Sequence, residues 1–196
     1  VRTNYKKYKI NKKIGVLLST SGSTGSKKFV KLSYENMENN TKNIIKYLKL
    51  NSWDVGITTM PFAYSYGLSI INTHLKKNCS IILTEKTIFE KVFWEKFYFH
   101  KVTNINGVPI FYELLQKLGF KKILNKNLKF ITQAGGKMEK KLATSLMKFC
   151  NNNKLKLLIM YGQTEAAPRI SYLNPKFLKK KFGSIGKAIP EGKIKI

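Results

Sequence analysis

Arginine is nearly missing from this 196-residue chain: Arg2 and Arg169 are the only two among 37 lysines and arginines. Acidic residues are scarce too, ten in all, and the formal net charge is +27. Nucleic-acid readers favour the planar arginine fork for bidentate contacts with bases and phosphates. Here lysines are spread along the chain, with only short runs such as Lys179 to Lys181, and isoleucine and asparagine are abundant. A solvated lysine surface explains the charge better than a nucleic-acid footprint, although a basic field still attracts polyanions. Cysteine is limited to Cys79 and Cys150, which stand in no metal-ligand spacing and read as reduced core thiols. The two histidines, His74 and His100, both fall inside amphipathic helical patterns and read as packing or surface residues. No GxSxG elbow and no close acid pair occurs, which sets aside serine-hydrolase and glycoside chemistry. No apolar run approaches the roughly 20 residues that span a bilayer, and no signal-peptide core is visible, so the expected compartment is the cytoplasm.

What is present is a globular composition, 43% apolar, in a chain long enough for one domain with a core. Short apolar runs alternate with longer amphipathic ones. Strands are expected at 15–20, 28–32, 55–59, 80–84, 102–106, 129–133 and 155–160. Helices are expected at 67–75, 88–99, 109–118 and 139–149. One more helix follows Ser33, an N-cap candidate with Glu35 in the first turn, and carries Met37, Thr41, Ile44, Ile45 and Leu48 at helical spacing. Pro109 suits a first helical turn, and Phe89, Phe93, Trp94 and Phe97 read as core rather than a stacking platform. Strands alternating with helices imply an α/β architecture with a mostly parallel sheet. In such sheets ligands bind beyond the carboxyl ends of the strands, so the loops after strands are where chemistry is sought.

Two of those loops are chemically dense. Thr20, Ser21, Gly22, Ser23, Thr24 and Gly25 precede Lys27 and Lys28. Glycines let backbone amides approach an anion, hydroxyls add donors, and a lysine adds a point charge. The spacing is not that of a Walker loop, and an ordinary flexible surface loop is the plainer reading of a lone Ser/Gly run. The second loop, Tyr161-Gly162-Gln163-Thr164-Glu165, follows an apolar strand and presents an aromatic, a hydroxyl and a carboxylate together. The carboxylate suits Mg²⁺, which prefers hard oxygen ligands shared with phosphates. Alone, this too can be an ordinary turn.

As a pair, STSGSTGSKK at 19–28 and YGQTE at 161–165 resemble the signature of the adenylate-forming superfamily: acyl-CoA synthetases, luciferases and peptide-synthetase adenylation domains. Further segments resemble that family in order: PFAYSYGL at 61–68, Gly107-Val108-Pro109, Gly135-Gly136 and GSIGKAIP at 183–190. The resemblance implies part of the family's large N-terminal domain, with its layered αβαβα fold. It implies ATP-dependent conversion of a carboxylic acid to an acyl-adenylate, with Mg²⁺, then transfer to coenzyme A or a carrier-protein thiol. By the same resemblance, Ser21 to Gly25 and Lys28 would hold the β- and γ-phosphates, Thr164 the α-phosphate, and Glu165 with Thr24 the Mg²⁺. Tyr161, Gly162, Gln163, Gly135 and Gly136 would flank the nucleotide, while Tyr64, Gly67, Val108 and Ala134 would line the acyl pocket.

The chain departs from the family in places. Lys27-Lys28-Phe29 stands where Pro-Lys-Gly is usual, and Tyr64 replaces the histidine of PxFHxxGL. No acidic residue lies between Val55 and Thr84, where an amino-acid-activating domain places an aspartate, so a fatty, aryl or other plain carboxylate is expected. The reading for residues 1–196 is a partial AMP-binding domain, with the N-terminal region and the small C-terminal domain outside it, the latter a candidate separately encoded partner. A catalytically incomplete nucleotide-binding module and a basic nucleic-acid-binding protein remain the alternatives.

Overall fold

The structure is a computed structural model, and it describes residues 9–20 and 28–195. Strands β1 (Ile14–Thr20) and β2 (Lys28–Ser33) form an antiparallel pair in which Thr20 lies opposite Lys28. Helix α1 (Tyr34–Leu48) follows at once. Ser33 caps it as the sequence predicts: its hydroxyl accepts from the Asn36 N–H at 3.0 Å, and Asn36 Oδ1 accepts from the Ser33 N–H at 3.1 Å. The buried face of α1 is more polar than its apolar spacing suggests, because Asn40 and Asn43 are buried beside Thr41 and Ile44.

Next come β3 (Val55–Ile57), α2 (Ser65–Lys76) and β4 (Ser80–Ile82), with β3 and β4 parallel. Both strands end earlier than predicted, because the Thr58 hydroxyl donates to the Thr84 carbonyl at 3.0 Å and closes the pair. Helix α3 (Lys91–Phe99) starts later than predicted. Glu90 accepts the Thr87 N–H at 2.7 Å, and this turn holds the chain out of the helix until Lys91. Phe93, Trp94 and Phe97 are core, as predicted; Phe89 is exposed.

The main sheet has the order β5 (Asn104–Gly107), β6 (Phe130–Gln133), β7 (Lys156–Gly162), β8 (Arg169–Leu173), β9 (Lys187–Ala188). Helices α4 (Pro109–Leu118) and α5 (Lys140–Asn152) make the crossovers between its parallel members. The pair β3–β4 is tied to this sheet through Thr103, whose N–H donates to the Val55 carbonyl and whose hydroxyl accepts the Val55 N–H, both at 2.9 Å.

The α/β class agrees with the sequence, but the sheet is mixed rather than mostly parallel. Of the six pairings among the described residues, three are parallel and three antiparallel. The sequence reading did not predict β8 and β9, which return antiparallel onto β7. Alternation along the strands sends side chains to two helical layers. Ile131, Leu157 and Ile159 pack with residues of α3, α4 and α5, while Phe130, Leu158 and Met160 pack with Leu50 and residues of α1 and α2. Among the described residues no helix is long and apolar enough to cross a membrane.

Candidate functional site

The carboxyl ends of β6 and β7 open onto one cavity of about 460 Å³. After β6 the chain turns at Gly135, whose φ of 81° suits glycine. The turn is held by the Gln133 amide donating to the Gly136 carbonyl at 2.8 Å. A β-carbon on Gly135 would stand 2.5 Å from the Tyr64 hydroxyl and 3.0 Å from Val108 Cγ1, so Tyr64 leans directly over the turn. Strand β7 runs on through Tyr161 and Gly162, which the sequence reading placed in the loop, and its last residue, Gly162, brings the chain against the start of β8: a β-carbon there would lie 1.7 Å from the Pro168 carbonyl oxygen. The chain then enters a short 3₁₀ turn, Thr164–Ala166. Gln163 donates to the Tyr161 hydroxyl at 3.1 Å, and the Thr164 hydroxyl stands 3.2 Å from that of Ser65, the first residue of α2.

The cavity gathers many of the predicted residues. Tyr64, Ala134, Gly135, Gly136, Tyr161, Gly162, Gln163 and Thr164 all border it. Phe182 and, at the start of the GSIGKAIP segment, Gly183, Ser184 and Ile185 close another side. Thr20 and Lys28 do not border it; they face one another across the β1–β2 pair, and β2 lies beside the 3₁₀ turn that holds Glu165. The residues that join them, Ser21, Gly22, Ser23, Thr24 and Gly25 among them, lie outside the described residues. Glu165 is exposed next to the cavity. No group of three or more His, Cys, Asp or Glu among the described residues could hold a metal ion. An Mg²⁺ shared with phosphates needs only one or two protein carboxylates, and Glu165 fits that demand.

The acyl-side residues divide. Tyr64 and Ala134 border the first cavity. Val108 instead lines a second groove of about 660 Å³ with mostly apolar walls, among them Phe62, Phe93 and Phe111. Gly67 borders neither space: it is buried in α2, where a β-carbon would come within 2.2 Å of the Pro61 carbonyl oxygen. Its smallness lets the 61–64 loop fold back onto the helix, so its place is in packing and not in a pocket wall.

Sequence reasoning missed Ser65, Pro168 and Arg169, which also border the cavity. Arg169 carried a signal in being one of only two arginines; Ser65 and Pro168 carried none beyond sitting in or beside recognised motifs. A buried polar chain ties α2 to the sheet behind the cavity. The Tyr66 hydroxyl donates to Thr132 Oγ1 at 2.6 Å, Thr132 to Asn106 Oδ1 at 2.5 Å, Asn106 to Asn104 Oδ1 at 2.9 Å, and Asn104 to His74 Nε2 at 3.1 Å. His74 Nδ1–H then donates to the Ile70 carbonyl at 2.7 Å. Burial pushes the Tyr66 phenol up to about 12, and burial likewise holds the His74 imidazole below its ordinary value. Both groups are therefore neutral near pH 7, as the direction of the hydrogen bonds requires.

With this geometry in view, the AMP-binding enzyme family matches the chain over residues 10–196. The chain belongs to the AMP-binding enzyme family. The acyl-CoA ligase sidI of Aspergillus fumigatus is 28% identical, over 90% of this chain and 30% of its own length. A 2-succinylbenzoate–CoA ligase of Listeria innocua is 28% identical, over 92% of this chain and 37% of its own length. Among solved structures, o-succinylbenzoate coenzyme A synthetase of Bacillus subtilis in complex with ATP and magnesium ion superposes with a TM-score of 0.76. That match is 24% identical and covers 88% of this chain and 35% of that one. VinN in complex with L-aspartate superposes at 0.78 with 20% identity, over 94% of this chain and 46% of that one. At such identities the structural likeness establishes the fold. The chain spans about a third of the length of the curated relatives it matches.

Proposed function

We propose that this chain is the nucleotide-binding part of an enzyme that activates a carboxylic acid with ATP as an acyl-adenylate, on the way to an acyl-CoA or another acyl thioester. The single observation that carries this is the convergence, on one cavity, of Gly135-Gly136 and Tyr161 to Thr164 from two neighbouring parallel strands. That support is joined by membership of the AMP-binding enzyme family and by relatives that are CoA ligases.

In this reading Tyr161 and the Gly135-Gly136 turn flank the adenine, and Thr164 donates to the α-phosphate. Lys28 and residues Ser21 to Gly25 hold the outer phosphates. Glu165, with Thr24, holds Mg²⁺, which when bound neutralises charge on the phosphate oxygens. The acid enters beside Tyr64 and Ala134, which border the cavity. Fixed donors around a reacting phosphate stabilise the charge that develops in the transition state. A separate C-terminal domain supplies the remaining groups.

The test is ATP–pyrophosphate exchange by the chain, with and without such a domain supplied in trans, next to titration calorimetry with Mg-ATP. Binding by the chain alone and exchange only in the presence of the second domain are expected. Lys28→Ala and Glu165→Gln should each weaken Mg-ATP binding by about 10-fold or more, as loss of a charge-assisted contact does. Unchanged affinity in both variants would contradict the assigned roles.

A further inference from the structure

Arg169 is only 4% exposed. Asn40 fixes its backbone on both sides, taking the Arg169 N–H at 3.3 Å and donating to its carbonyl at 2.8 Å. The guanidinium carbon lies 4.0 Å from the centre of the Tyr66 ring, and one terminal nitrogen reaches the Ser69 hydroxyl at 3.5 Å. Its buried Nε has no hydrogen-bond partner. No acidic side chain of the described residues pairs with it, and residues 1–8, 21–27 and 196 contain no Asp or Glu.

A guanidinium cannot shed its proton to escape burial. A buried charge without an ionic partner is strongly unfavourable, and the Tyr66 ring, the Ser69 hydroxyl and the neighbouring Tyr47 phenol, all neutral, offset only part of that. Arg169 borders the same cavity as the start of α2. That helix begins at Ser65 after Tyr64, an N-cap residue that makes no side-chain hydrogen bond, so its free N–H groups add positive potential on the same side. A guanidinium with no acidic partner among the described residues and a helix N-terminus, both bordering one cavity, together form a receptor for an anion.

We propose that Arg169 determines specificity by pairing with a second anionic group on the acid, a carboxylate remote from the one that is activated. This rests on the reading of the cavity as the acid-activating site. The nucleotide phosphates are the other anions at hand, but the reading above assigns them to Lys28, Thr164 and a Mg²⁺ held by Glu165. Arg169 instead sits against α2 between Tyr66 and Ser69, an interior position suited to an acyl group. A purely alkyl acid would leave the guanidinium unpaired, and an α-ammonium group would be repelled by it.

Titration calorimetry on the chain, with glutarate against pentanoate and phthalate against benzoate at fixed ionic strength, tests the assignment. Each diacid should bind about 10- to 100-fold more tightly than its monoacid partner, the range of a charge-assisted pair. Arg169→Gln should bring each pair within about twofold, Arg169→Lys should retain part of the preference, and AMP affinity should stay within about twofold in both. Equal binding of diacid and monoacid by the unaltered chain overturns the proposal, and that comparison needs no variant. So does a preference that survives Arg169→Gln in a folded protein, or an AMP affinity that falls with it, which would place a phosphate at Arg169. Mg-ATP titrations on the same samples separate the two readings. A diacid preference without Mg-ATP binding supports Arg169 and sinks adenylation, whereas Mg-ATP binding without the preference does the reverse.

Discussion

Asn40 stands on α1, yet its partners lie at the far end of the described sequence. Its amide donates to the carbonyls of Ala166 and Arg169 at 3.2 and 2.8 Å and accepts the Arg169 N–H. It fixes the segment between the 3₁₀ turn and β8, and so the positions of Thr164 and Arg169 at once. Asn40→Ala leaves those buried groups unpaired and should cost about 1–3 kcal/mol of stability, read as a lower urea midpoint; an unchanged midpoint would contradict that role. Gly162→Ala tests a different constraint, because its β-carbon would meet backbone and not a flexible side-chain tip. It should destabilise by about 1–3 kcal/mol and weaken Mg-ATP binding, as overpacking at a fixed contact does. Gly183→Ala is the useful contrast: nothing lies within 4 Å of a β-carbon there, and only the φ of 91° is strained. If Gly162→Ala proves as mild as a surface change, the close approach of β7 and β8 does not shape the site.

Among the elements, α2 matters most to the cavity, and it is anchored by its one buried histidine. His74 accepts from Asn104 through Nε2 and donates through Nδ1, an arrangement open only to the neutral ring. Burial depresses its folded-state value below the ordinary one near 6.5. The folded chain then binds fewer protons than the unfolded chain below that pH, so stability falls as pH drops through and below about 6.5. Asp54 acts in the same direction at more acid pH. Burial alone would raise its carboxyl, but the Lys129 ammonium, the Asn51 N–H and the Thr103 hydroxyl together hold it below its usual value. Urea midpoints measured from pH 8 to pH 5 should decline, and His74→Gln should flatten the upper part of that decline; a flat profile in the unaltered chain would refute the account.

The elements differ in how well the sequence revealed them. Helix α4 was legible to the residue, because Pro109 marks its start and Gly119 its end. The strands that open onto the cavity were legible as apolar runs that lead into glycine-containing segments. Strand β9 was not: a two-residue strand has no period, and only the tertiary pairing of Ala188 with Ser171 defines it. That Gly135-Gly136 and Tyr161 to Thr164 come together was legible through their resemblance, in order, to the family's segments. The displacement of Gly67 and the arrival of Arg169 were not, since both follow from a loop folding back and a strand returning.

For the molecule as a whole, the charge of +27 and the cavity make different claims about ATP. A diffuse lysine field binds any polyanion and loses it steeply as salt rises. A built site keeps its ligand, because fixed donors and a stacked ring are screened less. Mg-ATP binding should therefore persist at about 0.3 M salt while binding of an unrelated oligonucleotide collapses.

Photolabelling with 8-azido-ATP and Mg²⁺ at that ionic strength, followed by peptide mapping, tests the central claim most directly. The cavity predicts saturable labelling of the peptides around Gly135-Gly136 and Tyr161, abolished by excess ATP and weakened in Glu165→Gln. Labelling scattered over lysine-rich peptides, or labelling that excess ATP does not displace, would contradict it.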